Sequence, residues 1–401
     1  MATLEPRLHV RQLGLRDLTP SRLAAWSALE ARAAEPNAFL SPHFVLPAFQ
    51  HLDPGSSPIV LVVERGDGGD GASASGSSAE MLALGVFTPV KASRVCPLPH
   101  LVGYCSRHSY LGGLLVDRDH VREAVGALCD HARRRSFGWQ ALVFYKMRTD
   151  GPIASVLEER ALATGTAMRR TGTKQRAILV PADAGPEALK KALGKRLSEI
   201  QRCRRRLAEG GEVTWRCLRR DVDATVVESF LRLEHQGWKA DEKTSLRSNP
   251  ADEAFFKDVV ARFDGDSRAL FTELRVGDRA IASTSNFVSG GAGFAFKVGW
   301  EPELRKLSPG VLNETELVRA APEVCADLAW FDSGAQPDSF IDRLWPERRE
   351  LGTLVVPLTR AGAASLRVLG GLRRVAHVAR RVTTALRASG APHPSADPPT
   401  R

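Results

Sequence analysis

The chain sets out its apolar segments twice in the same order, and this repetition limits the possible folds more than any other feature. In the first half, "PIVLVVER" and "EMLALGVFTPV" are rich in apolar and β-branched residues and read as strands. A strand near 110–116, a helix near 118–135, the strand "QALVFYKM", a helix near 152–163 and a strand near 174–181 are expected to follow. In the second half, "RALFTELRV" and "AIASTSNFV" read as a hairpin around "GDR", with "AGFAFKVGW" as the third strand. A helix from Pro309, the strand "ADLAWFDS", a short helix and "GTLVVPLT" complete the series. Strands that alternate with helices bury their apolar faces by placing the helices against a sheet. "PADAGPE", ending the first series near residue 183, carries the Pro and Gly of a boundary. The expected fold is α/β: a tandem of two domains, 1–183 and 184–360, each a mixed central sheet flanked by helices, followed by a basic helical tail at 361–401. "GDGGDGASASGSSA", residues 66–79, holds no core-forming residue and reads as a disordered hairpin loop.

At 401 residues each half can bury its own core, and 43% hydrophobic with 25% charged residues is a globular composition. No apolar run approaches the roughly 20 residues of a membrane span. The N-terminus lacks the apolar core of a secretory signal, and the six cysteines show no framework spacing, so a cytoplasmic protein with reduced thiols is expected. Neither a cysteine cluster nor an HExxH pattern argues for a metal site.

The net charge of +10 is concentrated. Residues 187–206 and residues 361–401 each carry +6, which leaves the remaining chain near −2. On a helix, Leu189, Leu193, Leu197, Ile200 and Leu207 form one stripe, and Lys191, Lys195, Arg202 and Arg206 lie opposite. No aromatic residue interleaves these cations for base stacking, which argues against DNA and leaves a phosphate-bearing ligand or an ordinary solvated face. In the tail, Arg367, Arg374 and Arg381 flank one border of a stripe of valines and leucines, and Arg373, Arg380 and Arg387 the other. That pattern suits either peripheral contact with an anionic membrane surface through 361–390 or docking on the protein's own core.

"KLSPGVL", residues 306–312, has the form of an anion-binding helix start. Ser308 reads as the N-cap, Pro309 suits the first helical position, and Gly310 leaves room for a ligand. The N–H groups of Gly310, Val311 and Leu312 are expected to face the anion, with Arg305, Lys306 and Leu307 just before them. In the preceding strand, simple alternation puts Gly293, Ala295, Lys297 and Gly299 on one face, a trough beside exposed backbone. The matching helix of the first half follows Asp117 and Asp119, which oppose an anion, so a single such site is expected.

The combination of "LEHQGWK" at 233–239 with "SPGVL" at 308–312, set in "FFKDVVARF", "LFTELRVGDRAIASTSNFV" and "WFDSGAQPDSFIDRLWPERRELGTLVV", resembles the CelD/BcsL-type acyltransferases of the GNAT superfamily. These are related to the double-GNAT Fem peptidyl transferases. The resemblance covers about residues 185–358, and the first half only in layout. It implies two GNAT-like domains and acyl transfer from acetyl-CoA, or another acyl-CoA, to a hydroxyl or amine of a saccharide or cell-envelope precursor. It also places the 306–312 turn at the coenzyme A pyrophosphate. Two departures stand out: the fuller glycine pattern of GNAT enzymes is reduced here to Gly310, and "SFIDRLW" replaces a common Tyr-Lys pair. Acyl transfer needs a base and donors for an oxyanion. Candidates are Glu234, His235 and Lys239 at the helix end that the resemblance sets near the cleft, Asp332 at a strand end, and Lys297 in the trough; each also has an ordinary structural reading. His100, His108 and Tyr110 could line an acceptor cleft or form a plain polar loop. The alternatives are a Fem-like aminoacyltransferase, with charged tRNA on the basic helix, and a non-catalytic GNAT-derived binding module.

Overall fold

The computed structural model describes residues 8–66, 80–134, 137–220 and 222–371. The loop expected at 66–79, apart from Gly66, and the tail beyond residue 371 lie outside these; residues 360–371 are helical. The first half comprises β1 (Leu8–Gly14), α1 (Pro20–Ala31), α2 (Pro42–Pro47), β2 (Ile59–Arg65), β3 (Glu80–Val90), β4 (His100–Gly103), β5 (Leu115–Val116), α3 (Val121–Ala132), β6 (Ala141–Arg148), α4 (Pro152–Ala163) and β7 (Arg169–Leu179). The second comprises α5 (Pro186–Leu193), α6 (Arg196–Ala208), β8 (Val213–Leu218), α7 (Ala224–Glu234), α8 (Trp238–Asp241), α9 (Pro250–Gly265), β9 (Ala269–Val276), β10 (Arg279–Ser289), β11 (Ala292–Trp300), α10 (Pro309–Val324), β12 (Trp330–Asp332) and β13 (Glu347–Pro357). Local chemistry sets several starts. Thr19, Asp223 and Asn249 each accept a backbone N–H two or three residues on, and Pro follows Thr19 and Asn249 at the first helical position.

The strands join into one mixed sheet in the order β1-β2-β3-β4-β6-β13-β7-β12-β11-β10-β9-β8, with β5 paired to β3. Its centre is interleaved. β13, last in sequence, pairs antiparallel with β6 and β7, and β7 pairs with β12. The two halves therefore share backbone hydrogen bonds as well as side-chain contacts. Helices α3 and α4 cover one face of the first half, with Leu128 and Leu157 packed among Leu61, Phe144 and Leu354. On the other side an aromatic cluster joins the halves: the Phe44 ring lies 5.2 Å from Phe255 and 6.1 Å from Phe296, and Phe39 lies 6.0 Å from Phe294.

The basic stretch is two helices rather than one. Gly194, at φ +51°, breaks it between Leu193 and Arg196. The break lets each apolar stripe reach its own core: Leu189 and Leu193 pack with Leu317 and Val318 of α10, and Cys203 and Leu207 pack with Leu274 and Leu312. A residue without a Cβ enters the left-handed region at little cost, so the turn falls there. Lys191, Lys195, Arg202 and Arg206 remain exposed. Among the described residues no helix is long and apolar enough to cross a membrane.

Candidate functional site

β11 and β12 run parallel for only three pairs, Ala292–Trp330, Gly293–Phe331 and Phe294–Asp332. β12 then turns away at Ser333–Gly334 while β11 continues to Trp300. A cavity of about 340 Å³ opens in the split. Gly334, at φ +64°, permits the divergence: a Cβ there would stand 2.7 Å from the Ala295 carbonyl oxygen and 2.9 Å from the Tyr110 ring.

The walls of this cavity depend on a register shift. Asn286 of β10 pairs with Ala295, but Ser285 pairs with Lys297, so Phe296 is an extra residue. Its ring is held in the aromatic cluster, stacked on Phe256 with ring centroids 5.9 Å apart. The extra residue reverses the alternation expected from sequence. Lys297 and Gly299 join the face of Phe294, whereas Ala295, Val298 and Trp300 share the face covered by α10. The trough expected along Gly293, Ala295, Lys297 and Gly299 therefore does not form. Gly299 is needed for close packing instead, since a Cβ there would lie 2.5 Å from the Glu234 backbone nitrogen. At Gly293 a Cβ would meet the Phe331 ring at 2.2 Å. Of the four residues, Ala295 and Lys297 line the cavity.

At the start of α10, Ser308 takes the N-cap position in the left-handed conformation (φ 50°, ψ 52°) and its side chain caps nothing, contrary to expectation. Leu312 is also lost as a donor, because its N–H is donated to the Ser308 carbonyl at 3.0 Å and its side chain is buried in the core. Two N–H groups remain, those of Gly310 and Val311, with no acceptor among the described residues. No acidic residue occupies the first turn, and Arg305 and Lys306 are exposed just before it. Gly310 sits against Trp300, where a Cβ would approach the indole to 3.3 Å. Leu304 and Leu307 pack with Cys203 and Leu207 of α6, which sets the basic helix beside this turn. These features fit a phosphate group: oriented donors, a clear approach and nearby cations. Just before the matching helix of the first half, Asp117 accepts the Asp119 N–H at 2.9 Å and pairs with Arg32, and Glu123 stands in the first turn, so carboxylates surround that start.

The candidate catalytic side chains fall into separate places. Glu234, 1% exposed, ends α7; its Oε2 accepts the Leu246 N–H at 2.8 Å and its Oε1 is 3.5 Å from Lys239 Nζ. Lys239 in turn donates to the Val298 carbonyl. This pair ties α7 and the following loop to β11 and does not line the cavity. Asp332, also 1% exposed, accepts the Gly334 N–H at 2.8 Å and lies 3.4 Å from Arg176, which holds the turn that opens the split. His235 bonds Ser245. Lys297 does reach the cavity, and burial holds its ammonium below the usual lysine range, with Glu234 and Asp252 opposing that shift. Burial likewise lowers Lys239. From the first half, Tyr110 lines the cavity. His108 is stacked on Phe255 and bonded to Asp252 at 2.8 Å, and His100 is bonded to Ser93 and the Leu98 carbonyl.

Sequence reasoning passed over Glu314. It stands on the second turn of α10, 4% exposed, and lines the cavity. Burial pushes its carboxyl up to about 7, against the hydrogen bond donated by Thr284. The signal was present: Glu314 shares a stripe at i+3, i+4 and i+7 with Leu317, Val318 and Ala321, an acid where the helical period demands a core residue.

Residues 194–341 match the family model described as the acetyltransferase (GNAT) domain. The crystal structure of FemX superposes with a TM-score of 0.53 at 12% identity, covering 86% of this chain and 97% of that one. The C-terminal domain (DUF2156) of a putative lysylphosphatidylglycerol synthetase from Agrobacterium fabrum gives 0.49 at 15% identity, with 87% and 96% covered. A tandem GNAT protein from the clavulanic acid biosynthesis pathway gives 0.44 at 15%, with 88% and 99% covered. At 12% identity the likeness to FemX is one of fold. No curated protein matches the sequence. Residues 194–341 thus match a GNAT acetyltransferase domain, set within a mixed α/β fold.

Proposed function

We propose that the chain is an acyl-CoA-dependent acyltransferase, with acetyl-CoA the expected donor and a hydroxyl or amine of a saccharide or cell-envelope precursor the acceptor. The observation that carries this reading is the pairing of an open helix start at Gly310–Val311 with a cavity in the β11–β12 split, both bordering α10. The N–H groups of Gly310 and Val311, with Arg305 and Lys306, would hold the pyrophosphate, and the cavity lined by Ala295 and Val298 would take the pantetheine arm. The donor supplies an activated acyl carbon when bound. The protein's part is to exclude water from the split, orient the acceptor and move its proton. Lys297, which lines the cavity with Tyr110, is placed to stabilise negative charge there. The CelD/BcsL resemblance of "LEHQGWK" and "SPGVL" supports an acceptor from polysaccharide or envelope synthesis. Peripheral membrane contact through 361–390 belongs to the same proposal, and truncation at residue 361 should then abolish salt-sensitive binding to anionic vesicles.

Isothermal calorimetry on the full chain tests the donor. Acetyl-CoA is expected to bind with one site per chain. Binding of aminoacyl-tRNA without acetyl-CoA would instead favour the Fem-like reading, for which the exposed cations of α6 offer the contact. Failure to bind either would favour a binding module.

A further inference from the structure

We infer that Glu314 takes the proton from the acceptor's nucleophile, with Thr284 and Asn313 as positioning residues; this rests on the acyltransferase reading above. Among the carboxylates considered for this role, Glu234 and Asp332 have an oxygen bound to a backbone N–H and neither lines the cavity. Glu314 lines it. Its side chain is oriented by a chain of hydrogen bonds that is buried from Asn313 onward. Trp215 Nε1 donates to Asn313 Oδ1 at 3.0 Å, and Asn313 Nδ2 donates to Thr272 Oγ1 at 2.9 Å and to Thr284 Oγ1 at 3.1 Å. Because Thr284 Oγ1 already accepts, its own hydrogen is directed outward, to Glu314 Oε1 at 2.6 Å. The chain therefore fixes the carboxylate as an acceptor at its far end. A buried network of this length, ending on an acid at a cavity wall, costs desolvation that a leucine at the same position would avoid.

The other charged and titratable groups that line the cavity are Lys297, Lys146 and Tyr110, and none of them figures among the influences on the Glu314 carboxyl. From β8, β9 and β10 the facing groups are the uncharged Trp215, Thr272 and Thr284. Desolvation thus dominates, and the carboxyl titrates near 7, where a base can both take and release a proton. In the step, the O–H or N–H bond of the acceptor breaks and its proton passes to Glu314. The freed electron pair forms the bond to the acyl carbon, the carbon–sulfur bond breaks with its pair on sulfur, and the proton returns to that sulfur. The products are acylated acceptor and free thiol, with Glu314 again a carboxylate.

Labelling of the full-length protein with dicyclohexylcarbodiimide, mapped by peptide mass spectrometry, reads the protonated carboxyl without any turnover. Glu314 should be modified at pH 6, about tenfold less at pH 8, and less again with acetyl-CoA present. Thr284→Val should move the midpoint of that fall to higher pH. In parallel, thiol release from acetyl-CoA with water as acceptor should fall at least about a hundredfold in Glu314→Gln, while the acetyl-CoA dissociation constant stays within about twofold. Absence of labelling, or labelling that ignores pH, overturns the assignment even if the Gln variant fails to fold. Normal acetyl-CoA binding with unchanged thiol release in Glu314→Gln overturns it alone, whereas a wild-type protein that does not bind acetyl-CoA removes the acyltransferase reading and the assignment together.

Discussion

Replacing Glu314 by Gln should change how stability depends on pH, in a direction and amount that follow from its surroundings. The carboxyl is 4% exposed, it accepts a hydrogen bond from Thr284, and burial raises its pKa from 4.5 to about 7. A raised folded-state value means that the folded protein holds this proton more tightly than the unfolded chain does. Its contribution to stability is therefore complete below pH 4.5, declines as pH rises towards 7, and is flat above. At 1.36 kcal/mol for each pKa unit, the shift corresponds to about 3 kcal/mol lost across that window. Gln keeps the shape and the acceptor for Thr284 but cannot ionise. The assay is urea unfolding of wild type and variant at intervals from pH 4.5 to 8, followed by tryptophan fluorescence. The stability of the variant relative to wild type should rise by about 3 kcal/mol between pH 4.5 and 7.5. Parallel curves would refute the reasoning, because a carboxyl that titrates alike in both states is not desolvated in this cavity.

Gly310→Asp sets a carboxylate against the proposed pyrophosphate site; a like charge at about 4 Å costs roughly 4 kcal/mol at an effective dielectric of ~20, so even heavily screened it should weaken acetyl-CoA binding at least about tenfold by calorimetry. Gly210→Asp, beyond the end of α6, should leave that binding nearly unchanged, and equal affinities in the two variants would move the donor elsewhere. Gly299→Ala should destabilise by about 1–3 kcal/mol in thermal unfolding, because its Cβ would meet α7 backbone at 2.5 Å and backbone yields poorly. Glu234→Gln leaves the buried Lys239 ammonium 3.5 Å from an uncharged amide, and a loss of about 2–4 kcal/mol is expected. If that variant instead keeps its melting temperature and loses only turnover, Glu234 acts in chemistry and not as a latch.

The sequence by itself determined the α/β alternation, the strands 59–65 and 80–90 and the helix at 152–163, because these follow from apolar density, period and cap chemistry acting within a few residues. It also located the helix start at Ser308–Pro309, since proline fixes the first turn wherever the rest of the chain goes. What it missed depends on contacts between segments far apart. The insertion of β13 between β6 and β7 is decided by which edges meet, and no local pattern encodes that. Gly194 interrupts the basic helix because two separate cores, beneath Leu193 and beneath Leu207, draw the chain in different directions. Above all, the face on which Lys297 and Gly299 lie is set by one residue: Phe296 is held by Phe44, Phe256 and Phe287 from three other elements, and that hold costs β11 one step of register. Side chains alternate with period two, so a single extra residue exchanges every later position between the sheet's two faces. Strand propensity is local, but register is a property of the partners, and in this protein register decides which groups reach the cavity.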